Sequence, residues 1–293
     1  MRSTSSTWEL TLLLLLILCS TAGSALPTSL KPRQAWVVGY SAYELSNFGC
    51  KPIIFIFAKA TIEPGNLGNT VGPLVSDGLK SVFGVRNVAT QGVDYWGFIQ
   101  TNFYPGGAPP WGIYDMQLLL SAAATCPDSK IVAAGYSQGA ALTHRAIEGL
   151  GAEIRDKIAG VVTFGDTQTF QDGGRIRNYD TNRTLIICNA GDVVCTGTLY
   201  VFPMHFDYVK WVPTAVAFLA QKLLDANRDH PWPNGSFGEG EAMRPARVLG
   251  SEAEGVGGSA QGIKRGRILP TPSIALPGAR SPRHGVGSGD DAD

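Results

Sequence analysis

A three-layer α/β/α sandwich around a central five-stranded, mostly parallel sheet is the fold class that this sequence predicts. Three observations predict it. Short apolar runs alternate with segments of helical spacing between Cys50 and Leu224, the pattern of helices laid on a parallel sheet. The runs are nearly continuous in apolar residues, as strands covered on both faces must be. One run leads straight into Gly135-Tyr136-Ser137-Gln138-Gly139 and then into a helix-forming segment.

In chain order, Arg2 precedes an apolar run over residues 10–18 and small residues through Ala25. The run is about half of the ~20 residues that a membrane span needs, so 1–25 is expected to be a secretory signal peptide, with no stable membrane insertion. The expected strands are Ile53 to Ala58, Val85 to Val88, Lys130 to Ala134, Ile158 to Phe164 and Thr184 to Cys188. The expected helices are Val71 to Phe83, Trp111 to Ala124, Gln138 to Leu150 and Val212 to Leu224. No internal repeat or Pro/Gly linker splits this region, so 26–228 reads as one domain. Beyond it Gly, Pro, Ser, Arg and Glu dominate and periodicity disappears, so 229–293 is expected to be a disordered tail, with Lys264-Arg265 as a candidate processing site.

Of 293 residues, 44% are hydrophobic, enough for a sizeable core, and 24 basic side chains balance 24 acidic ones. That balance argues against nucleic acid as a partner. Loss of the leader removes Cys19 and leaves Cys50, Cys126, Cys188 and Cys195 in an exported, extracellular chain, where disulfides form. Four cysteines permit three pairings, and sequence alone does not choose among them. The short loop between Cys188 and Cys195 favours joining those two, which leaves Cys50 for Cys126. No Cys-x-x-Cys or histidine cluster suggests a metal site.

The Gly-x-Ser-x-Gly between strand and helix is the context of a nucleophile elbow, which makes Ser137 the candidate nucleophile. Serine needs a base, and the chain has 4 histidines. His144 lies two turns into the helix that Ser137 begins, ~10 Å along its axis, and is expected to be a packing or surface residue. His230 and His284 fall in the expected tail, so His205 is the base by elimination. Asp166 and Asp192 both follow strands. Asp192 is preferred because the Cys188–Cys195 loop would fix its backbone and because Ser, Asp, His is the α/β-hydrolase order. The oxyanion donors are expected to be the backbone N–H of Gln138 and, from the loop after the first strand, Thr61. Acyl transfer with these groups requires no metal or organic cofactor.

Gly-Tyr-Ser-Gln-Gly-Ala-Ala-Leu at 135–142, Ile-Arg-Asp-Lys-Ile-Ala-Gly at 154–160, Cys-Asn-Ala-Gly-Asp-Val-Val-Cys-Thr-Gly at 188–197, Glu63, Gly65, Asn66 and Gly68 resemble the fungal cutinases from about Cys50 to Leu224. The resemblance implies a small lidless hydrolase acting on the plant polyester cutin or a lipid-like ester. It also implies the triad Ser137, Asp192 and His205, an oxyanion hole at Thr61 and Gln138, and the two disulfides paired as above. It departs at Lys59-Ala60-Thr61, where the family carries Arg-Gly-Ser or Arg-Gly-Thr, so the methyl of Ala60 bears on the loop's path. Tyr95, Trp96, Phe103, Leu199 and Phe202 are expected in a hydrophobic rim around the acyl groove. Alternative readings are an acetylxylan esterase, suggested by Phe164-Gly165-Asp166, and a non-catalytic secreted protein that interacts with a host. Asn182 and Asn234 head glycan-acceptor sequons, and a monomer is expected.

Overall fold

The computed structural model describes residues 38–233. The expected leader, Cys19, Asn234, Lys264-Arg265 and His284 lie outside the described residues. The elements in chain order are α1 (Glu44–Phe48), β1 (Ile53–Ala58), α2 (Gly72–Phe83), β2 (Val88–Gly92), α3 (Pro110–Ala124), β3 (Lys130–Tyr136), α4 (Gln138–Glu148), α5 (Ala152–Arg155), β4 (Ile158–Phe164), β5 (Thr184–Ile187) and α6 (Val212–Asp229).

All strand pairs are parallel, in the order β2-β1-β3-β4-β5. The chain leaves β1 toward one edge of the sheet and leaves β3 toward the other. Loops after β1 and β3 therefore part, and the crevice that opens at their carboxyl ends is where such sheets bind ligands.

Every residue of β1 is buried because both faces are covered. Phe55, Phe57, Val132 and Val162 pack with Leu79 of α2 and Leu219 of α6. On the opposite face Ile54, Ile56, Ile131 and Val161 pack with Met116 and Leu120 of α3 and Leu142 of α4. The alternation of β1 side chains between two apolar layers explains why its sequence shows no polar period.

The edge strand differs from its expected position. Val85 to Asn87 form a turn, and β2 runs instead through Val88-Ala89-Thr90-Gln91-Gly92. Its polar residues are buried but paired: Thr90 and Ser76 share a hydroxyl hydrogen bond of 2.6 Å, and Gln91 Oε1 accepts from the Ser46 N–H at 3.2 Å. Glu44 of α1 accepts the Thr90 N–H at 3.1 Å, covering the sheet edge. The folded region also runs past residue 228. Helix α6 reaches Asp229, and Trp232 is buried beside Phe83 with its indole N–H on the Pro52 carbonyl at 2.9 Å.

Two disulfides join Cys50 to Cys126 and Cys188 to Cys195. The first ties together the segments that enter β1 and β3. The second closes the loop that follows β5 and carries Asp192.

Candidate active site

Ser137 stands between β3 and α4 with φ 55° and ψ −117°, a conformation that L residues rarely adopt. Its flanking glycines are dictated by close approach. A Cβ on Gly135 would lie 2.2 Å from the Gly139 carbonyl oxygen, and one on Gly139 would lie 2.1 Å from that of Ala58. The Ser137 N–H donates to the Phe164 carbonyl at 2.9 Å, fastening the turn to β4. The strained turn thereby holds the serine side chain above the sheet.

His205 and Asp192 converge on that serine from the other side. His205 Nε2 is 2.9 Å from Ser137 Oγ, and His205 Nδ1 is 2.8 Å from Asp192 Oδ2. All three residues are buried. With Nδ1 donating to the carboxylate, Nε2 is left to accept the serine proton. Asp192 is held by its turn, where Oδ1 accepts the Val194 N–H at 3.2 Å. Tyr136 donates its hydroxyl to the His205 carbonyl at 2.5 Å, and burial with the charges of Glu63 and Asp192 pushes its phenol well above the ordinary range. No motif marks Tyr136 in the sequence beyond its place inside Gly-x-Ser-x-Gly.

As the first residue of α4, Gln138 has a backbone N–H without a partner in its own helix, beside the serine. Its side chain reaches away, donating to Thr101 Oγ1 at 2.9 Å and the Phe98 carbonyl at 3.1 Å. Thr61 lines the same cavity as Ser137. Thr61 Oγ1 accepts from Asn102 Nδ2 at 3.1 Å, which leaves the hydroxyl proton for another acceptor. Asn102 was not legible in the sequence, because it reaches Thr61 across 41 residues.

Glu63 fastens the Thr61 loop. Its Oε2 accepts the Ala60 N–H at 2.7 Å, while Oε1 accepts from the Thr70 N–H at 3.0 Å and hydroxyl at 2.6 Å. Lys59, whose ammonium burial lowers against the opposing pull of Glu63, donates to the Glu63 carbonyl at 2.6 Å. Ala60 is absent from the positive-φ positions, so its backbone makes no demand for glycine. Ile62 does carry a positive φ, of 57°.

The cavity above Ser137 measures about 590 Å³ and is lined on its apolar sides by Ile62, Ile99, Phe103, Leu199 and Val201. Of the residues expected at the rim, Phe103 and Leu199 line this cavity. Trp96, stacked on Phe98, and Phe202 are exposed but outside the cavity lining. Tyr95, expected at the rim, is instead buried, with its hydroxyl on the Lys59 carbonyl, and belongs to the core under the Thr61 loop. A phenol that can reach a backbone carbonyl packs inside more favourably than at a rim.

His144 and Asp166 belong to a separate buried network. His144 Nε2 lies 2.7 Å from Asp166 and Nδ1 lies 2.9 Å from Asp172. Asp166 also accepts from Thr163 Oγ1 and the Gln168 N–H, both at 2.8 Å, and Asp172 pairs with Arg145 and Arg177. Asp166 therefore serves His144, not His205. Among the described residues, no group of three or more His, Cys, Asp or Glu side chains could hold a metal ion.

A strained serine, an imidazole and a carboxylate in one hydrogen-bonded line can carry out nucleophilic acyl transfer. A cutinase family profile matches residues 49–223. Cutinase CUT2 of Pyricularia oryzae is 46% identical over 208 residues, covering 71% of this chain and 95% of that protein. Cutinase 1 of Fusarium vanettenii is 44% identical over 207 residues, covering 66% and 86% respectively. Among solved structures, Trichoderma reesei cutinase in complex with a C11Y4 phosphonate inhibitor is similar, with a TM-score of 0.57 and 32% identity over 64% of this chain and 81% of that one. With the fold, the elbow and the sequence relatives in agreement, the chain belongs to the cutinase family, and it is an α/β-hydrolase that cleaves carboxylic esters.

Proposed function

We propose that the protein is a secreted serine esterase that hydrolyses the ester bonds of cutin through an acyl-enzyme on Ser137. The observation that carries this reading is the line Ser137–His205–Asp192 at the floor of an apolar cavity. Ser137 Oγ attacks the ester carbonyl as His205 Nε2 takes its proton, and Asp192 holds the imidazole and offsets its positive charge. The negative oxygen of the tetrahedral intermediate is met by the Gln138 N–H and by Thr61, assisted by the positive end of α4. His205 returns the proton to the leaving alcohol. Water, activated by the same imidazole, then releases the acid and restores the serine.

The apolar cavity walls suit the aliphatic part of a hydroxy fatty acid, and the curated relatives bear the name cutinase. Export fits the apolar run at 10–18 and two disulfides, which persist outside reducing compartments. No helix among the described residues is long and apolar enough to cross a membrane.

The test is hydrolysis of p-nitrophenyl esters from acetate to palmitate, followed by release of hydroxy fatty acids from cutin. The wild type should cleave butyrate and release cutin monomers. Ser137→Ala should lower turnover by about a millionfold. Activity confined to acetate would instead point to a carbohydrate-borne acetyl group, and equal activity in the variant would overturn the nucleophile.

A further inference from the structure

Tyr208 follows His205 by one short turn, and its phenol is fully buried beneath the imidazole. Its ring meets those of His205, Tyr136 and Phe164 at centroid distances of 6.2, 5.7 and 6.2 Å. Gly165 makes the room: a Cβ there would stand 2.9 Å from both Tyr208 Cε2 and His205 Cε1.

The hydroxyl has two close polar neighbours, with the Cys195 sulfur more distant at 4.0 Å, and the close pair fixes its proton. The Asn189 N–H donates to Tyr208 Oη at 2.9 Å, so that lone pair is taken. Tyr208 Oη in turn lies 2.6 Å from Asp192 Oδ2, which can only accept. The proton therefore points at the carboxylate. Burial, then the bond to Asp192, pushes this phenol far above its ordinary range, so it stays a donor.

Asp192 Oδ2 thus receives two donors, His205 Nδ1–H at 2.8 Å and Tyr208 O–H at 2.6 Å. Asn189 also anchors the histidine's own loop, donating through Nδ2 to the Met204 carbonyl at 2.8 Å and the Asp207 carbonyl at 3.0 Å. The loop bearing the carboxylate and the loop bearing the base are joined at this point.

We propose that Tyr208 is a positioning residue for the acyl transfer: its hydroxyl, seated on Asn189, holds Asp192 in the orientation that directs His205 at Ser137. This rests on the triad reading given above. Tyr208 touches neither substrate nor reacting atoms, so its effect passes through the carboxylate. Without the hydroxyl, Oδ2 keeps only the imidazole N–H, and the Val194 N–H on Oδ1 at 3.2 Å is the remaining anchor, so the carboxylate directs the imidazole less closely.

The experiment is a double-mutant cycle on p-nitrophenyl butyrate with the full chain: wild type, Tyr208→Phe, Asp192→Asn and both together. One charge-assisted hydrogen bond predicts kcat about 10- to 100-fold lower in Tyr208→Phe, with KM changed less than about twofold. In the Asp192→Asn background the same change should cost under about threefold, because the group through which it acts is already lost. Equal fold losses in both backgrounds would overturn the proposal, as would an unchanged kcat in Tyr208→Phe. Placing p-aminophenylalanine at 208 restores a donor on the same ring, and a folded protein that failed to regain most of the rate would also contradict it. Ser137→Ala separates the two levels. An active Ser137→Ala overturns the triad reading itself, whereas a dead one with additive losses overturns only the role of Tyr208.

Discussion

Asp166 and Asp192 each follow a strand and each receives a histidine, and the identity of that histidine decides what the carboxylate does. Asp192 faces His205 at 2.8 Å, while Asp166 faces His144 at 2.7 Å. Asp192→Asn should therefore lower kcat by about ten-thousandfold, as loss of a triad carboxylate does. Asp166→Asn should leave kcat within about fivefold but lower the unfolding temperature, since it leaves a buried charged partner short of an acceptor. Steady-state kinetics and thermal unfolding of the two variants check this. Ile62 is the second residue whose conformation speaks. It is β-branched, has φ 57°, and is 74% exposed at the cavity mouth, so its own burial does not offset its strain. Asn tolerates that conformation. Ile62→Asn should raise stability by up to about 1 kcal/mol and weaken activity on palmitate esters relative to butyrate; a loss of stability with an unaltered chain-length profile would contradict this. The preference for Asp192 was legible from chain order and the flanking cysteines. The assistance of Tyr136, Asn102 and Tyr208 was not, because a lone aromatic or amide carries no spacing signal.

At the scale of elements, the His144 network fastens α4, whose amino end follows Ser137, to the loop of residues 166–172. Both ring nitrogens of His144 face carboxylate oxygens, so the ring is held as an imidazolium that donates twice. Burial opposes that charge, but Asp166 and Asp172 overcome it and raise the group from 6.5 to about 9. The facing groups also include Arg145 and Arg177, which pair with Asp172. A histidine whose folded value exceeds its unfolded value stabilises fully below the unfolded value and ceases to do so as pH rises through the folded one. Stability should therefore fall between pH 6.5 and about 9, by roughly 3 kcal/mol from this residue. Unfolding temperatures across that window should drop in the wild type and stay nearly flat in His144→Gln. An equal slope in both would contradict the assignment. The sequence hid this network because His144, Asp166 and Asp172 are far apart in the chain. It hid β2 for a different reason: an edge strand can bury Thr90 and Gln91 when Ser76, Ser46 and Glu44 satisfy them. Helix α6 outran its expected end because its later turns are amphipathic and polar at the surface, which an apolar count undervalues.

Across the whole molecule, the sheet order explains why a short family of loops makes a site. The crossover from β2 back to β3 places the β1 and β3 loops on diverging courses, with Thr61 on one and Ser137 on the other. The β5 loop and the segment before α6 then supply Asp192 and His205 from the far side. That architecture was legible, since continuous apolar strands and an elbow between strand and helix leave few topologies open. The exact rim was not, because an aromatic residue near a site satisfies either core or surface until its neighbours are known, as Tyr95 and Phe103 show. On the proposed mechanism, Ser137 is the nucleophile of this ester hydrolase. The most direct test is to treat the intact protein with an alkyl phosphonate ester and locate the adduct by peptide mass spectrometry, alongside residual activity. A single phosphonyl group on Ser137, appearing in step with loss of activity and absent from Ser137→Ala, is the predicted result. Loss of activity with the adduct on another residue, or full activity with Ser137 modified, would contradict it.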